Sequence, residues 1–242
     1  MSNAEFPSWL DREVFLIGEE ATRRIRACRT LVVGLGGVGG LAAELIVRAG
    51  VRRIVVADGD VVEASNRNRQ IAALAETAGM PKTVVMANRL RAIDPDLELT
   101  ALNRFLAPED MPRLVEGFDC VVDAIDSVGP KVALLAACVE RGIPVASSMG
   151  SGARLDPTKI RIDDISRTAG CPLARAVRKG LRQRGIATGI DAVFSLEPPR
   201  PGGLSRDVVG TISWIPAAFA CALAACALKK LLSGVEKNAP TE

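Results

Sequence analysis

The chain has 242 residues, 48% of them apolar, and a formal net charge of +3. That length suits one α/β domain with elaborations, and so small a charge does not by itself call for a nucleic-acid partner. There is no His and no Tyr, which excludes a Ser-His-Asp triad, a Cys-His pair and a His-ligated metal, and leaves proton transfer to Asp, Glu, Lys or Cys.

Residues 1–18 set Phe6, Trp9, Phe15, Leu16 and Ile17 around the charged Asp11, Arg12 and Glu13, which reads as a docking arm. Glu19 to Cys28 reads as a short helix with acids first and bases last, in keeping with the helix dipole. The run Thr30 to Gly40, TLVVGLGGVGG, is the centre of the chain. A strand from Thr30 to Val33 breaks into Gly34, Gly36 and Gly39, spaced as GxGxxG with Gly37 inside, and a helix is expected over Leu41 to Ala49. Bare amides at such a helix start can approach and bind a nucleotide phosphate.

Arg53 to Ala57 is the second strand, closed by Asp58, 24 positions after Gly34 and near the usual place of a ribose carboxylate. An NAD-dependent oxidoreductase fits up to here. The next run, Ser65 to Gln70 (SNRNRQ), is dense, polar and without glycine, and does not suit that reading. Pro81 opens a helix over Lys82 to Ile93, stopped by Asp94-Pro95. Further strands are expected at Glu98 to Leu102, Phe118 to Asp123 and Ile143 to Ser147, with Asp126 three residues beyond the fourth strand and a helix over Lys131 to Arg141.

The remainder is less regular. Short strands are expected at Ala153 to Leu155, Lys159 to Ile162 and Ala192 to Leu196, a Pro/Gly loop over Glu197 to Arg206, and a final helix over Ala217 to Leu232. Pro172 to Arg184 patterns as an amphipathic helix with Arg175, Arg178, Lys179 and Arg182 together on one face. The most apolar run, Trp214 to Leu228, contains Pro216 and is shorter than the ~20 residues that span a bilayer, so a buried helix is expected and no membrane partner. Met1 is not followed by a charged and apolar leader, which points to the cytoplasm.

Six cysteines include no CxxC, so no zinc is expected, and Cys120, Cys138, Cys221 and Cys226 read as small core residues. The fold expected is α/β, a Rossmann-like doubly wound, mostly parallel sheet with an irregular C-terminal extension, and ligands at the carboxyl ends of its strands. By role the chain divides into an N-terminal arm and helix (1–29), a nucleotide-binding core (30–150), a substrate-binding and dimerisation extension of the same domain (151–234) and a tail (235–242).

These polar positions suit adenylation of a carboxylate, in which negative charge builds on phosphate oxygens and fixed cations with Mg²⁺ supply the catalysis. The same residues carry a resemblance. GLGGVG, the run DGDVVEASNRNRQ (Asp58 to Gln70), GMPK ending at Lys82 and DAIDS (Asp123 to Ser127) resemble the ubiquitin-activating-enzyme-like superfamily, over about residues 10 to 150. The continuation resembles its tRNA threonylcarbamoyladenosine dehydratase branch through IPVASSMGSGARLDPTKI, CPLA, AVFSLEPP and GTISWIP, nearly to Leu232.

The resemblance implies ATP-dependent, cyclising dehydration of threonylcarbamoyladenosine in tRNA, with Mg²⁺ and a homodimer. It implies that Gly34, Gly36, Gly37 and Gly39 border the phosphates, that Asp58 holds the ribose, and that Asn66, Arg69, Gln70 and Lys82 face the triphosphate. Asp126 would bind Mg²⁺, and Arg12 is the best-placed arginine to act from the opposite subunit. A sulfur-transfer partner, such as a cysteine desulfurase, is a candidate accessory. The alternative within the superfamily is an adenylyltransferase for a ubiquitin-like sulfur carrier, which the missing CxxC pairs disfavour. Cys171 stands where relatives often have Asp.

Each residue also has a plainer reading. Asp58 and Asp126 can cap helices, and Arg69 and Lys82 can be surface charge. Asn66 and Gln70 can hold their own loop, and Arg12 can pair with a nearby acid. The Arg175, Arg178, Lys179 and Arg182 face is either solvated or a contact for tRNA phosphates. Cys171 is either a helix cap or an activated thiol.

Overall fold

The protein is described by a computed structural model covering residues 6–201 and 209–233. The tail at 235–242, the first five residues of the arm and positions 202–206 of the Pro/Gly loop lie outside the described residues. The arm forms helix α1 (Asp11–Ile17) and leads through Gly18 into α2 (Glu19–Ala27). Then come β1 (Arg29–Val33), α3 (Gly39–Arg48), β2 (Arg53–Asp58), α4 (Lys82–Ile93), β3 (Glu98–Asn103), α5 (Met111–Leu114), β4 (Cys120–Asp123), α6 (Val128–Glu140) and β5 (Val145–Ser148). The chain closes with β6 (Ile160–Asp164), α7 (Pro172–Arg182), β7 (Asp191–Ser195) and α8 (Trp214–Ser233).

The seven strands form one sheet in the order β3-β2-β1-β4-β5-β7-β6, parallel except for the antiparallel edge strand β6. β1, β2, β4, β5 and β7 have mostly buried Val, Ile and Ala, as parallel strands covered on both faces require. One apolar core lies under α2, α3, α4 and α8 and joins Ile46, Met86, Leu90 and Phe219. The other lies under α5, α6 and α7 and joins Met111, Leu134, Val177 and Leu181. The strand order reverses between β1 and β4, so the loops leaving these two strands diverge and leave a crevice at the carboxyl edge.

The C-terminal extension is more regular than its sequence suggests, since β7 and β6 widen the sheet and α7 and α8 each complete one layer. The strand expected at Ala153 to Leu155 does not form. Ala153 has φ of 59°, a left-handed conformation that a strand cannot contain. α8 has 20 residues, and its 214–232 stretch has a mean hydropathy of 1.7, so it is long and apolar enough to cross a bilayer by length and composition. Half of that stretch is buried, and α8 packs against α3, β4 and β5. Cys221, expected in the core, is exposed on its outer face, whereas Cys120, Cys138 and Cys226 are buried.

Candidate active site

A cavity of about 930 Å³ opens at the carboxyl edge of the sheet, across the point where the strand order reverses. Its floor is the glycine loop, held on both sides by strand-like bonds: Gly34 N–H donates to Ala57 O (2.8 Å) and Ala124 N–H to Val33 O (2.8 Å). Gly34 has φ of 89°, and a Cβ there would stand 2.7 Å from Ala124 O. A Cβ on Gly39 would stand 1.8 Å from Gly34 O. These two glycines are therefore required by the turn and by the packing of α3 on it. Gly36 differs, because its Cβ would meet nothing within 4 Å and it borders the cavity. Its bare backbone leaves room for a ligand rather than for the protein.

Asp58 does not cap a helix. Its Oδ2 accepts from Leu35 N–H (2.6 Å) and its Oδ1 from Asp60 N–H (2.7 Å), which ties the end of β2 to the glycine loop at the cavity wall. Lys82 is not surface charge. It opens α4, is 5% exposed, and its Nζ lies 2.8 Å from Asp60 Oδ2, while its N–H donates to Asp60 O. Arg69 borders the same space, with Nη1 donating to Ser65 O (3.0 Å) and Asn68 Oδ1 (2.9 Å).

Asn66 serves its own loop, Oδ1 accepting from Glu63 N–H (3.1 Å). Gln70 is buried at the wall and its Oε1 has no partner among the described residues, a polar atom left for a ligand. Asp126 is exposed at the rim. Among the described residues no three His, Cys, Asp or Glu side chains gather as a metal cluster. Arg12 is exposed on α1 and is not part of the cavity wall of its own chain.

Five contributing residues were given no role from the sequence. Asp60 is the partner of Lys82. Lys131 and Asp123, both wholly buried, form an ion pair of 2.6 Å behind the loop that carries Asp126; Ser147 Oγ also donates to Asp123. Phe105, 76% exposed, stands at the wall against Gly59. Arg154, 3% exposed, donates to the carbonyls of Gly150, Gly152, Gly170 and Glu197 and so gathers three segments into the far half of the cavity. Asp60, Asp123 and Arg154 lie inside the motifs DGDVVEASNRNRQ, DAIDS and IPVASSMGSGARLDPTKI, and Phe105 is one of six Phe in an aromatic-poor chain, two residues past a strand on the binding edge.

Cys171 is the N-cap of α7, its Sγ accepting from Ala174 N–H at 3.4 Å. Cys171 thus caps the helix, as one of its two readings expects. The basic face of α7 is split. Arg178 is half-buried and donates to Thr168 O (2.8 Å) and to Thr168 Oγ1, so it braces the preceding turn. Arg175, Lys179 and Arg182 are exposed.

Fold and cavity together define a nucleotide-binding α/β protein, with the glycine loop and residues of the C-terminal extension lining one cavity. Residues 10–241 match the ThiF family. The chain is 41% identical over 189 residues to the tRNA threonylcarbamoyladenosine dehydratase of Bacillus subtilis, covering 78% of this chain and 74% of that one. It superposes on the E. coli tRNA N6-threonylcarbamoyladenosine dehydratase in complex with AMP with a TM-score of 0.91, at 35% identity over 98% of this chain and 100% of that one. Against the ATP complex of the E. coli enzyme the TM-score is 0.89, at 33% identity over 99% and 100% of the two chains. The chain belongs to the ThiF family.

Proposed function

We propose that this protein is an ATP-dependent dehydratase of threonylcarbamoyladenosine in tRNA and works by adenylating the threonyl carboxylate. The observation that carries the reading is a single cavity lined by both the core and the C-terminal extension. The glycine loop, Lys82 and Arg69 line one part, while Ser148 to Gly152, Arg154 and the start of α7 line the other. ATP and a carboxylate can thus meet within one cavity. The similarity to the ATP-bound E. coli dehydratase over 99% of the chain supports the same assignment.

In this reaction a threonyl carboxylate oxygen attacks the α-phosphorus of ATP and the bond to pyrophosphate breaks, giving an acyl adenylate. The carbamoyl group then closes on the activated carbonyl carbon, its proton passes to solvent, and the bond to AMP breaks. AMP keeps the former carboxylate oxygen, so the nucleoside loses one water. Lys82 and Arg69 set fixed positive charge against the phosphates where negative charge accumulates. Gly36, beside Gly37, lets backbone amides approach the phosphates, and the side chains of Gln70 and Asn66 complete that wall. Asp58 orders the loop and faces the ribose, and Phe105 offers an aromatic shelf for adenine.

The donor set fits Mg²⁺, which one or two carboxylates hold together with substrate phosphates, and Asp126 is an exposed carboxylate at the rim that makes no ion pair among the described residues. Bound there, the ion would neutralise charge on the phosphates. The protein acts as a homodimer: α1 presents Phe15 and Leu16, 85% and 83% exposed, as an apolar surface for a second copy, and carries Arg12 toward the partner's cavity. Residues 1–29 then serve docking, 30–150 nucleotide binding and 151–234 substrate binding. The enzyme works in the cytoplasm, with a cysteine desulfurase system as candidate sulfur-transfer partner.

The test is to incubate the purified protein with ATP, Mg²⁺ and tRNA carrying threonylcarbamoyladenosine, then to analyse the nucleosides by mass spectrometry. ATP-dependent loss of one water from that nucleoside is the expected result. An unchanged nucleoside, together with ATP–pyrophosphate exchange that depends on a sulfur-carrier protein, would transfer the protein to the adenylyltransferase branch.

A further inference from the structure

α7 joins two features that the sequence presents separately. Its cap and first turn, Cys171, Pro172 and Leu173, line the substrate half of the cavity. Its outer face carries Arg175, Lys179 and Arg182, which with Arg178 and Gln183 border a shallow groove of about 450 Å³. We propose that this groove is the track on which the RNA backbone lies as it leaves the cavity, so that α7 sets the position of the strand whose adenosine enters the site. The inference rests on reading the cavity as the site of a nucleoside in RNA and names the surface that holds the rest of the strand.

Three observations carry it. The first is continuity, since one helix runs from the cavity wall to the basic groove with no intervening element. The second is charge. Val177, Leu181 and Ala174 face the core, and Gly180 packs so closely on α6 that a Cβ would stand 2.8 Å from Val132 Cγ2. This fixes the helix rotation and turns positions 175, 179 and 182 outward. No Asp or Glu occurs between Ser166 and Asp191, and these three side chains make no ion pair with the described residues. Most exposed cations in a neutral-looking protein have acids nearby; a row kept clear of them retains its full charge for a polyanion.

The third observation is dimension. From Arg175 to Arg182 the helix advances about 10 Å at about 1.5 Å per residue. That length spreads the three cations along a line, as contact with more than one phosphate of a strand requires. Arg178, the one member of the row that is tied down on Thr168, stiffens the start of the track rather than touching RNA.

The test compares two double charge reversals of equal net charge. Arg175→Glu with Lys179→Glu alters the track. Arg53→Glu with Arg91→Glu alters exposed cations at the start of β2 and the end of α4, on the amino edge of the sheet away from the cavity. Binding of tRNA carrying threonylcarbamoyladenosine is measured by filter retention over a series of KCl concentrations, with circular dichroism confirming that each variant is folded. The track variant is expected to bind about tenfold or more weakly at low salt, and its slope of log K against log salt to fall by about 1.4, about 0.7 per lost contact. The edge variant is expected to keep the wild-type slope. Equal losses in the two variants would overturn the track while leaving the dehydratase reading intact. A wild-type protein that fails to bind this tRNA would overturn both.

Discussion

Lys131 Nζ lies 2.6 Å from Asp123 Oδ2, with both side chains wholly buried, and at 3.0 Å the same ammonium donates to the carbonyl of Ile125. Asp123 Oδ1 in turn accepts from Ile125 N–H at 3.0 Å. The residue before Asp126 is thus gripped at both of its backbone polar groups, and the loop so fixed is also the surface on which Gly34 packs. Lys131→Met would leave a buried carboxylate without its counter-charge, a loss of about 3–5 kcal/mol, whereas the double variant with Asp123→Asn removes both charges and should recover much of it. Urea denaturation reads the stability. Adenylation should stay low even in the recovered double variant, because Ile125 O has lost its anchor; wild-type turnover there would show the pair to be structural only.

Gly36 and Gly39 belong to one motif yet should fail in different ways. Alanine at 39 places a Cβ 1.8 Å from Gly34 O, so the backbone must move and the fold should be lost or heavily destabilised. At position 36 alanine meets no protein atom within 4 Å, so Gly36→Ala should melt near wild type while binding ATP more weakly. Calorimetry for nucleotide affinity and thermal denaturation for stability separate the two effects. A Gly36→Ala protein with unchanged ATP affinity would mean that no ligand approaches that amide.

Much of this was legible in the sequence because the information is local. α4 spans Lys82–Ile93 as its proline start and Asp-Pro stop dictate, and the β-branched runs mark the central parallel strands. Pairings between distant residues were not legible. Nothing in the sequence separates Lys131 from any helix lysine, or couples Lys82 to Asp60, until the sheet brings them together. α1 was hidden because its apolar Phe15 and Leu16 face outward, so no buried stripe marks it. Arg178 shares the basic face by spacing, but whether it is free depends on the Thr168 turn packed beside it.

The cysteines give an independent check on the layers. Burial, then the nearby Asp191 carboxylate, pushes the Cys226 thiol up to about 11, and burial with Asp123 pushes Cys138 up to about 12. Both groups therefore stay protonated at pH 8, where the thiolate is the reactive form. Iodoacetamide applied to the native protein at pH 8 should label the exposed Cys221 and spare Cys138 and Cys226 until denaturant is added, as read by peptide mass spectrometry.

Lys82 and Asp126 line the same cavity, where both are proposed to face the phosphates, but differ in what holds them. Asp126 is exposed, and Asp126→Ala should change stability by no more than about 0.5 kcal/mol. Lys82→Ala breaks a pair whose acid is 53% exposed, a cost of about 1 kcal/mol. Each should lower the adenylation rate by about 10²–10³-fold, the range seen when one charge or donor is withdrawn from a transition state. Raising Mg²⁺ should restore part of the rate in Asp126→Ala and none in Lys82→Ala. Pyrophosphate exchange at graded Mg²⁺ tests this, and equal rescue of both would remove Asp126 from the metal site.

The remaining question is whether one chain makes a complete site. Arg12 lies on α1, outside the cavity of its own chain, and the same short helix exposes Phe15 and Leu16. In a symmetric dimer whose α1 docks on the neighbour, each site would take Lys82 from one protomer and Arg12 from the other. Arg12→Ala and Lys82→Ala proteins should each be inactive as pure dimers. After subunit exchange in an equal mixture, half of the dimers combine the two, and each of those holds one site with both residues intact. Activity should therefore return to about a quarter of the wild-type value. If Arg12 served its own chain, every site in the mixture would lack one of the two residues, and mixing would restore nothing. Replacing Phe15 and Leu16 with Asp in both proteins should abolish the recovery by separating the protomers, which sedimentation velocity would show directly.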